Sequence, residues 1–149
     1  MPSLAFRILD RHVVEGRADD PALVTDEGTL SYAQLLHESA SLAGGLRDLG
    51  VVRGTPVHVD VPERRTWVLS VLAVVRLGAE PDPDARFRVA GSPATVSTPG
   101  ETYDLALVLR AGRVEPACAP LTDPEGYADR MTQRYGEVIS ALLDGGTLT

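Results

Sequence analysis

The sequence predicts an α/β domain with a partly parallel sheet flanked by helices. Apolar residues make up 44% of the 149-residue chain, enough to form one compact core. A β-rich run from Val57 to Val61 is followed at once by an apolar helical pattern from Glu63 to Leu77. Strand and helix in this order favour a crossover connection between parallel strands. No interdomain linker interrupts the sequence, so we expect residues 1–149 to form a single domain.

The amino-terminal residues are expected to form a short helix and then a two-stranded ribbon. Apolar side chains recur at helical spacing from Leu4 to Val13. The extended pieces 22–24 and 29–31 lie on either side of Gly28, a residue that tolerates the positive φ of a tight turn. These patterns predict the first helix and the first pair of strands.

Two longer helices follow. Ser31 can cap a helix from Tyr32 to Leu49, whose apolar residues fall on one stripe and which Gly50 ends. The helix from Glu63 to Leu77 is apolar around much of its circumference, and Gly78 ends it. Such a helix is expected to be buried on more than one side.

The second half is expected to contain more loops. Four prolines interrupt residues 80–101, where one short strand is predicted near Ala94 to Ser97. The apolar run from Leu105 to Leu109 is interpreted as the clearest strand of this half. An amphipathic helix is predicted from Tyr127 to Leu142, and Gly145 with Gly146 ends it.

Charge and cysteine content exclude several classes of function. The formal net charge of −7 opposes binding to nucleic acids and to anionic membranes, both of which attract a basic surface. Cys118 is the only cysteine, so the chain can form no internal disulfide. The apolar run from Trp67 to Val75 is too short to span a bilayer, and the amino terminus lacks the pattern of a secretory leader. We therefore expect a cytoplasmic protein.

The chain contains no lysine, and fourteen arginines supply all of its fixed positive charge. A reaction that needs a side-chain amine, either to neutralise a phosphate or to form a Schiff base, is therefore not available to this polypeptide alone.

Five blocks in the first half follow one another in a consistent order and spacing: Asp20–Val24, Leu30–Leu36, Leu42–Val51, Arg53–Val57 and Trp67–Ala79. Together they resemble the start of adenylate-forming enzymes, the family of acyl-CoA synthetases, aryl-CoA ligases and adenylation domains. The resemblance covers roughly residues 2 to 81. It implies the fold of the family's N-terminal subdomain.

The same resemblance implies that the family's chemistry is missing. Its phosphate-binding loop contains a lysine among Ser, Thr and Gly residues, and the closest segment here, Gly91 to Gly100, has no lysine and no regular glycine spacing. The family's adenine, magnesium and ribose contacts and its catalytic lysine have no counterpart either. We therefore predict no catalytic, cofactor-binding or metal-binding residues and no cofactor.

His58 and Asp60 are the one polar pair that merits a test. They lie two positions apart on a predicted strand, so their side chains share a face and could form a pair that orients the imidazole. A structural pair or a solvated strand end is the simpler interpretation, and no third residue completes a zinc site.

The predicted function is contact with another protein. If the helix that contains Trp67, Leu69 and Val71 lacks a covering layer, these large apolar side chains would form an interface. A homo-oligomer or a complex with a protein partner would result. Two alternatives stay open. In the first, the protein uses a cleft at the carboxyl ends of the strands, either to bind nucleotides or acyl groups or to run repurposed enzyme chemistry. In the second, it is one part of a split acyl-activating enzyme.

Overall fold

The computed structural model describes all 149 residues and contains four α-helices, seven short strands and two π-helical turns. The turns, Phe6–Asp10 and Val13–Arg17, occupy the predicted amino-terminal helix and extend beyond it. The α-helices are α1 (Tyr32–Asp48), α2 (Arg64–Leu77), α3 (Leu105–Gly112) and α4 (Tyr127–Leu143). The strands are β1 (Pro21–Thr25), β2 (Gly28–Ser31), β3 (Pro56–Asp60), β4 (Glu80–Pro81), β5 (Phe87–Ala90), β6 (Thr95–Ser97) and β7 (Thr102–Asp104).

The strands form two sheets. β1 and β2 form the predicted antiparallel hairpin, and residue Leu148 pairs with Leu23 of β1 in parallel. The larger sheet has the order β4-β3-β5-β6-β7. β3 is parallel to both β4 and β5, whereas β5, β6 and β7 form an antiparallel meander. The predicted α/β fold with a partly parallel sheet is therefore confirmed.

One face of the larger sheet belongs to the core, and the other is polar. The buried face carries a row of paired side chains, Val59, Val89 and Val96. Since side chains alternate across a strand, the residues between them point the other way. These residues are partly or fully exposed: His58, Asp60, Arg88, Ala90, Thr95, Ser97, Thr102 and Asp104. The polar face can therefore stay in contact with water, and no further layer has to cover it.

Residues 105–109 form a helix, so the predicted strand there is wrong. The segment begins α3, which starts after Asp104 and runs to Gly112. Its buried residues are Leu105, Val108, Leu109 and Gly112, the i, i+3, i+4, i+7 spacing of one helical face. A short apolar run satisfies both strand and helix patterns, and the contact of α3 with α1 decides in favour of the helix.

Helices α1 and α3 approach each other closely through glycine. A Cβ atom on Gly45 would overlap the carbonyl oxygen of Val108, and one on Gly112 would overlap the carbonyl oxygen of Ser41. Neither glycine has a positive φ, so glycine is needed at these positions because a larger residue would not fit between the helices. The two helix backbones are therefore in direct contact, and their relative position is fixed.

Helix α2 lies at the centre of the molecule. Val68, Val71 and Val74 are fully buried, and α2 contacts α1, β3 and α4. The Tyr127 hydroxyl at the start of α4 donates to the carbonyl oxygen of Ala79, just after α2, at 2.7 Å. The second half of the chain therefore supplies a cover for the apolar helix of the first half. Every helix of the protein is too short or too polar to cross a membrane.

Candidate binding surfaces

The segment that most resembles a phosphate loop forms a β-hairpin connection. Residues 95–97 of Gly91 to Gly100 are strand β6, which pairs with β5 and β7. The turn that follows is held by Thr98, whose backbone amide and hydroxyl both donate to the carbonyl oxygen of Glu101. The backbone amides of β6 are directed toward neighbouring strands, so this segment does not form a cradle for phosphate.

His58 and Asp60 lie on the polar face of β3, and they make no hydrogen bond with each other. The His58 side chain is partly buried, and its Nδ1 atom has no hydrogen-bond partner. Across the strand pair, His58 is opposite Arg88, whose guanidinium donates to the carbonyl oxygens of Pro83 and Ala85. Asp60 is exposed and lies opposite Ala90. The structure places the two residues on one face, as predicted, but without the contact that would orient the imidazole.

A cleft opens at the carboxyl ends of β3 and β5, the usual ligand position in open α/β sheets. It has a volume of about 340 Å³, and its polar lining includes the carboxylates of Glu63 and Asp104 and the hydroxyl of Thr66. No arginine or histidine lines it. Two carboxylates and no cation disfavour an anionic ligand such as a nucleotide.

Glu63 also forms a carboxyl pair with Glu27 of the β1–β2 turn. A hydrogen bond from Thr66 lowers the pKa of Glu63, with further contributions from Glu27 and Arg65. A hydrogen bond with Glu63 and the repulsion between the two charges raise the pKa of Glu27. Glu27 therefore keeps its proton to a higher pH than Glu63 does. No cluster of three His, Cys, Asp or Glu side chains is arranged to hold a metal ion.

The structure corrects the predicted interface of Trp67, Leu69 and Val71. Val71 is fully buried and Leu69 is nearly so, because both pack inside the chain's own core. Trp67 keeps some exposed surface, between the guanidinium of Arg64 and the ring of Tyr135 in α4. Helices α1 and α4 and strand β3 all pack on α2, which leaves Trp67 as the one member of the set with exposed surface.

A different apolar surface is open to solvent between α1 and α3, and we call it the α1–α3 groove. Its volume is about 260 Å³, and nearly all of its exposed lining is apolar. Leu107 is 52% exposed on its edge. The lining residues are Gly45, Asp48, Leu49, Tyr103, Leu107, Val108 and Ala111. This groove was not predicted, because a strand was expected at Leu107, although the helical spacing of Leu105 and Val108 was a usable signal.

Comparison with protein families identifies the first half of the chain. Residues 10–83 match the AMP-binding enzyme family. The chain is 38% identical over 82 residues to acetyl-coenzyme A synthetase of Mycobacterium tuberculosis, and 42% identical over 81 residues to an uncharacterized protein of Pseudomonas aeruginosa. These alignments cover 51% and 50% of this chain, but 13% of each relative. The chain therefore spans a small part of the length of the curated relatives that it matches.

Solved structures extend the similarity of the fold beyond the matched half. A long-chain-fatty-acid-CoA ligase of Archaeoglobus fulgidus superposes with a TM-score of 0.62 at 19% identity, over 81% of this chain and 34% of the ligase. The N-terminal subdomain of NpsA from Klebsiella oxytoca gives a TM-score of 0.61 at 15% identity, over 81% of this chain and 35% of that subdomain chain. Residues 10–83 thus match the AMP-binding enzyme family, and the chain has the fold of an adenylate-forming enzyme's N-terminal subdomain.

Proposed function

We propose that this protein is a non-catalytic binding module, in which an adenylate-forming scaffold presents the α1–α3 groove to another protein molecule. The observation that carries the proposal is the groove itself, an apolar surface with a half-exposed leucine at its edge. Removing such apolar surface from water favours association with another protein. We propose that the interaction takes place in the cytoplasm, because a chain with one exposed cysteine and no disulfide suits a compartment that keeps thiols reduced.

The groove is suited to this role because its walls do not move apart easily. The backbones of α1 and α3 are in contact at Gly45 and Gly112, which fixes the separation of the two helices. A preformed surface loses little conformational entropy on binding, and more of the contact energy remains as affinity.

Two features support a non-catalytic role. The chain has no lysine to neutralise phosphate charge, and the cleft at the carboxyl ends of β3 and β5 contains carboxylates instead of cations. Transfer of an adenylyl group from ATP develops negative charge on the phosphates, which adenylating sites stabilise with positive groups. The geometry here would repel that charge.

Site-specific cross-linking tests the proposed function. The photoreactive residue p-benzoylphenylalanine would replace Leu107 at the groove or, as the control, Leu121, which is 91% exposed in a loop that does not line the groove. After irradiation in cells of the source organism, we expect a discrete protein adduct from position 107 and none from position 121. No adduct from position 107, or the same adducts from both positions, would contradict the proposal.

A second candidate is one part of a split acyl-activating enzyme. It is favoured by the comparison with acetyl-coenzyme A synthetase, of which this chain matches 13%. The cross-linking experiment separates the two. An adduct from Leu107 to a second adenylate-forming chain that restores ATP-dependent acyl activation in the purified mixture would support the split enzyme and overturn the non-catalytic role.

A further inference from the structure

We infer that the occupant of the α1–α3 groove is a second copy of this chain, which inserts its own Leu107 while the first copy's Leu107 enters the partner groove. This inference rests on the proposed function and names the partner for the same surface. Four observations carry it: the groove, the exposed leucine at its edge, an acidic side chain on its wall and an unpaired arginine beside the leucine.

The shape of the surface is self-complementary. Leu107 projects from α3 along one edge of the groove, which is bounded on the other side by residues of α1. A two-fold axis perpendicular to α3, at the level of Leu107, would make the two α3 helices antiparallel and place each Leu107 over the groove of the other copy. Such an arrangement is isologous, because the same patch is used by both copies, and it closes at two subunits.

The charges of the surface are also self-complementary. Asp48 lies on the α1 wall and is exposed, and Arg47, the one cation within 4.0 Å of it, also donates to the carbonyl oxygen of Glu115. Arg110 follows Leu107 by three residues on the exposed side of α3 and forms no ion pair. When Leu107 of one copy enters the groove of the other, Arg110 is carried across the groove toward Asp48. The pair would form twice, once for each copy.

The charge of the whole molecule favours this directed arrangement over nonspecific association. Each copy has a net charge of −7, so two copies repel each other unless opposite charges meet locally. The groove offers one acid and one base for this purpose. Because a single helix face buries a modest area, we expect a weak, reversible dimer.

Sedimentation velocity of the purified full chain over a series of concentrations tests the inference. We expect a concentration-dependent shift from monomer to dimer. Leu107→Glu should abolish the shift, whereas Leu121→Glu, the same substitution outside the groove, should leave it unchanged. Asp48→Arg and Arg110→Asp should each weaken the dimer about tenfold or more, since like charges then face each other.

Charge exchange gives the sharper test. The double variant Asp48→Arg/Arg110→Asp, and an equimolar mixture of the two single variants, should both recover dimerisation, because each Arg again faces an Asp. Arg86→Asp, an exposed arginine away from the groove, is the control for a change in net charge. Circular dichroism would establish that every variant is folded.

Each outcome separates the inference from the proposed function. The inference that a second copy occupies the groove would be overturned by a wild-type chain that stays monomeric at every concentration. It would also be overturned by a dimer whose affinity the charge reversals do not change. If Leu107 nevertheless cross-links a different protein in cells, the groove remains a binding surface and only its partner was misassigned. If the groove neither cross-links nor dimerises, both conclusions fail.

Discussion

Tyr127 joins the family-like half of the chain to the half that no family match covers. Its ring is buried, and its hydroxyl lies 2.7 Å from the carbonyl oxygen of Ala79 and 3.2 Å from that of Val74. Both acceptors belong to the end of α2 and the turn after it. One hydroxyl therefore anchors the start of α4 at the point where the family match ends.

The variant Tyr127→Phe should lower the free energy of unfolding by about 1–2 kcal/mol, because it removes the buried donor from these carbonyl oxygens. Burial also raises the pKa of Tyr127. The neutral phenol therefore stabilises the fold below pH 10, near the unfolded pKa, and this stability is lost as the pH rises further. Urea denaturation at neutral and alkaline pH would measure both effects.

Tyr103→Phe is the matched control, because the Tyr103 ring is only partly buried and its hydroxyl lies near the exposed carboxylate of Glu101. We expect it to change the unfolding free energy much less at neutral pH. Equal losses for the two variants would show that the Tyr127 hydroxyl contributes nothing specific.

The carboxyl pair of Glu27 and Glu63 should titrate with split pKa values. We expect Glu27 above and Glu63 below the ordinary value of 4.5. The variant Glu63→Gln removes the neighbouring charge and leaves Arg65 beside Glu27, so the pKa of Glu27 should fall. Carbon-13 NMR of the side-chain carboxyl groups would follow both titrations, and an unchanged Glu27 pKa in the variant would exclude the pairing.

At the scale of elements, the contact between α1 and α3 depends on the absence of side chains at its crossing point. Gly112→Ala should lower the free energy of unfolding by about 1–3 kcal/mol or more, because the new methyl group meets the Ser41 carbonyl oxygen and the helices must separate. The control Gly136→Ala lies in α4, where a Cβ meets nothing within 4 Å. It should raise the free energy of unfolding by about 0.5–1 kcal/mol through lower backbone entropy in the unfolded chain.

Thermal denaturation of the two glycine variants would compare them directly. A stabilising Gly112→Ala would mean that the helices can part without cost. The same variant should also weaken the proposed dimer, since a wider separation of α1 and α3 changes the shape of the groove.

Elements with local signals could be predicted, and elements that depend on distant partners could not. Ser31 and Gln34 form a reciprocal cap at the start of α1, and Gly78 adopts a left-handed conformation at the end of α2, so both helices are marked in the sequence. Strands β5 and β7 have no such mark. They are four and three residues long and exist because they pair with β3 and β6.

At the scale of the whole molecule, the packing of α4 on α2 could not be predicted from the sequence, and the site predictions depended on it. The predicted interface on α2 assumed an uncovered helix, but Leu69 and Val71 are buried in the core, and Trp67 lies against Tyr135 of α4 and stays partly exposed. The α1–α3 groove arises from the packing of residues more than fifty positions apart, such as Gly45 and Val108. No local pattern contains that information, whereas the absence of lysine could be seen at once.

If the module is non-catalytic as proposed, the protein should not bind MgATP. Isothermal titration up to about 1 mM nucleotide, the top of the ordinary range of KM values, should show no saturable heat. The reason is the acidic lining of the cleft at the carboxyl ends of β3 and β5. Saturable binding that depends on magnesium would argue for a nucleotide-binding role instead.

The pairing of Leu148 with β1 bears on how the molecule folds. The backbone amides of Val24 and Leu148 donate across the pair at 2.8 Å, and the Thr147 hydroxyl binds the carbonyl oxygen of Pro21, 126 positions away. Contacts between such distant residues close a long loop and form slowly. The family-like half therefore cannot complete its small sheet during synthesis until residues 147 and 148 have left the ribosome, so these residues and β1 reach their native pairing together.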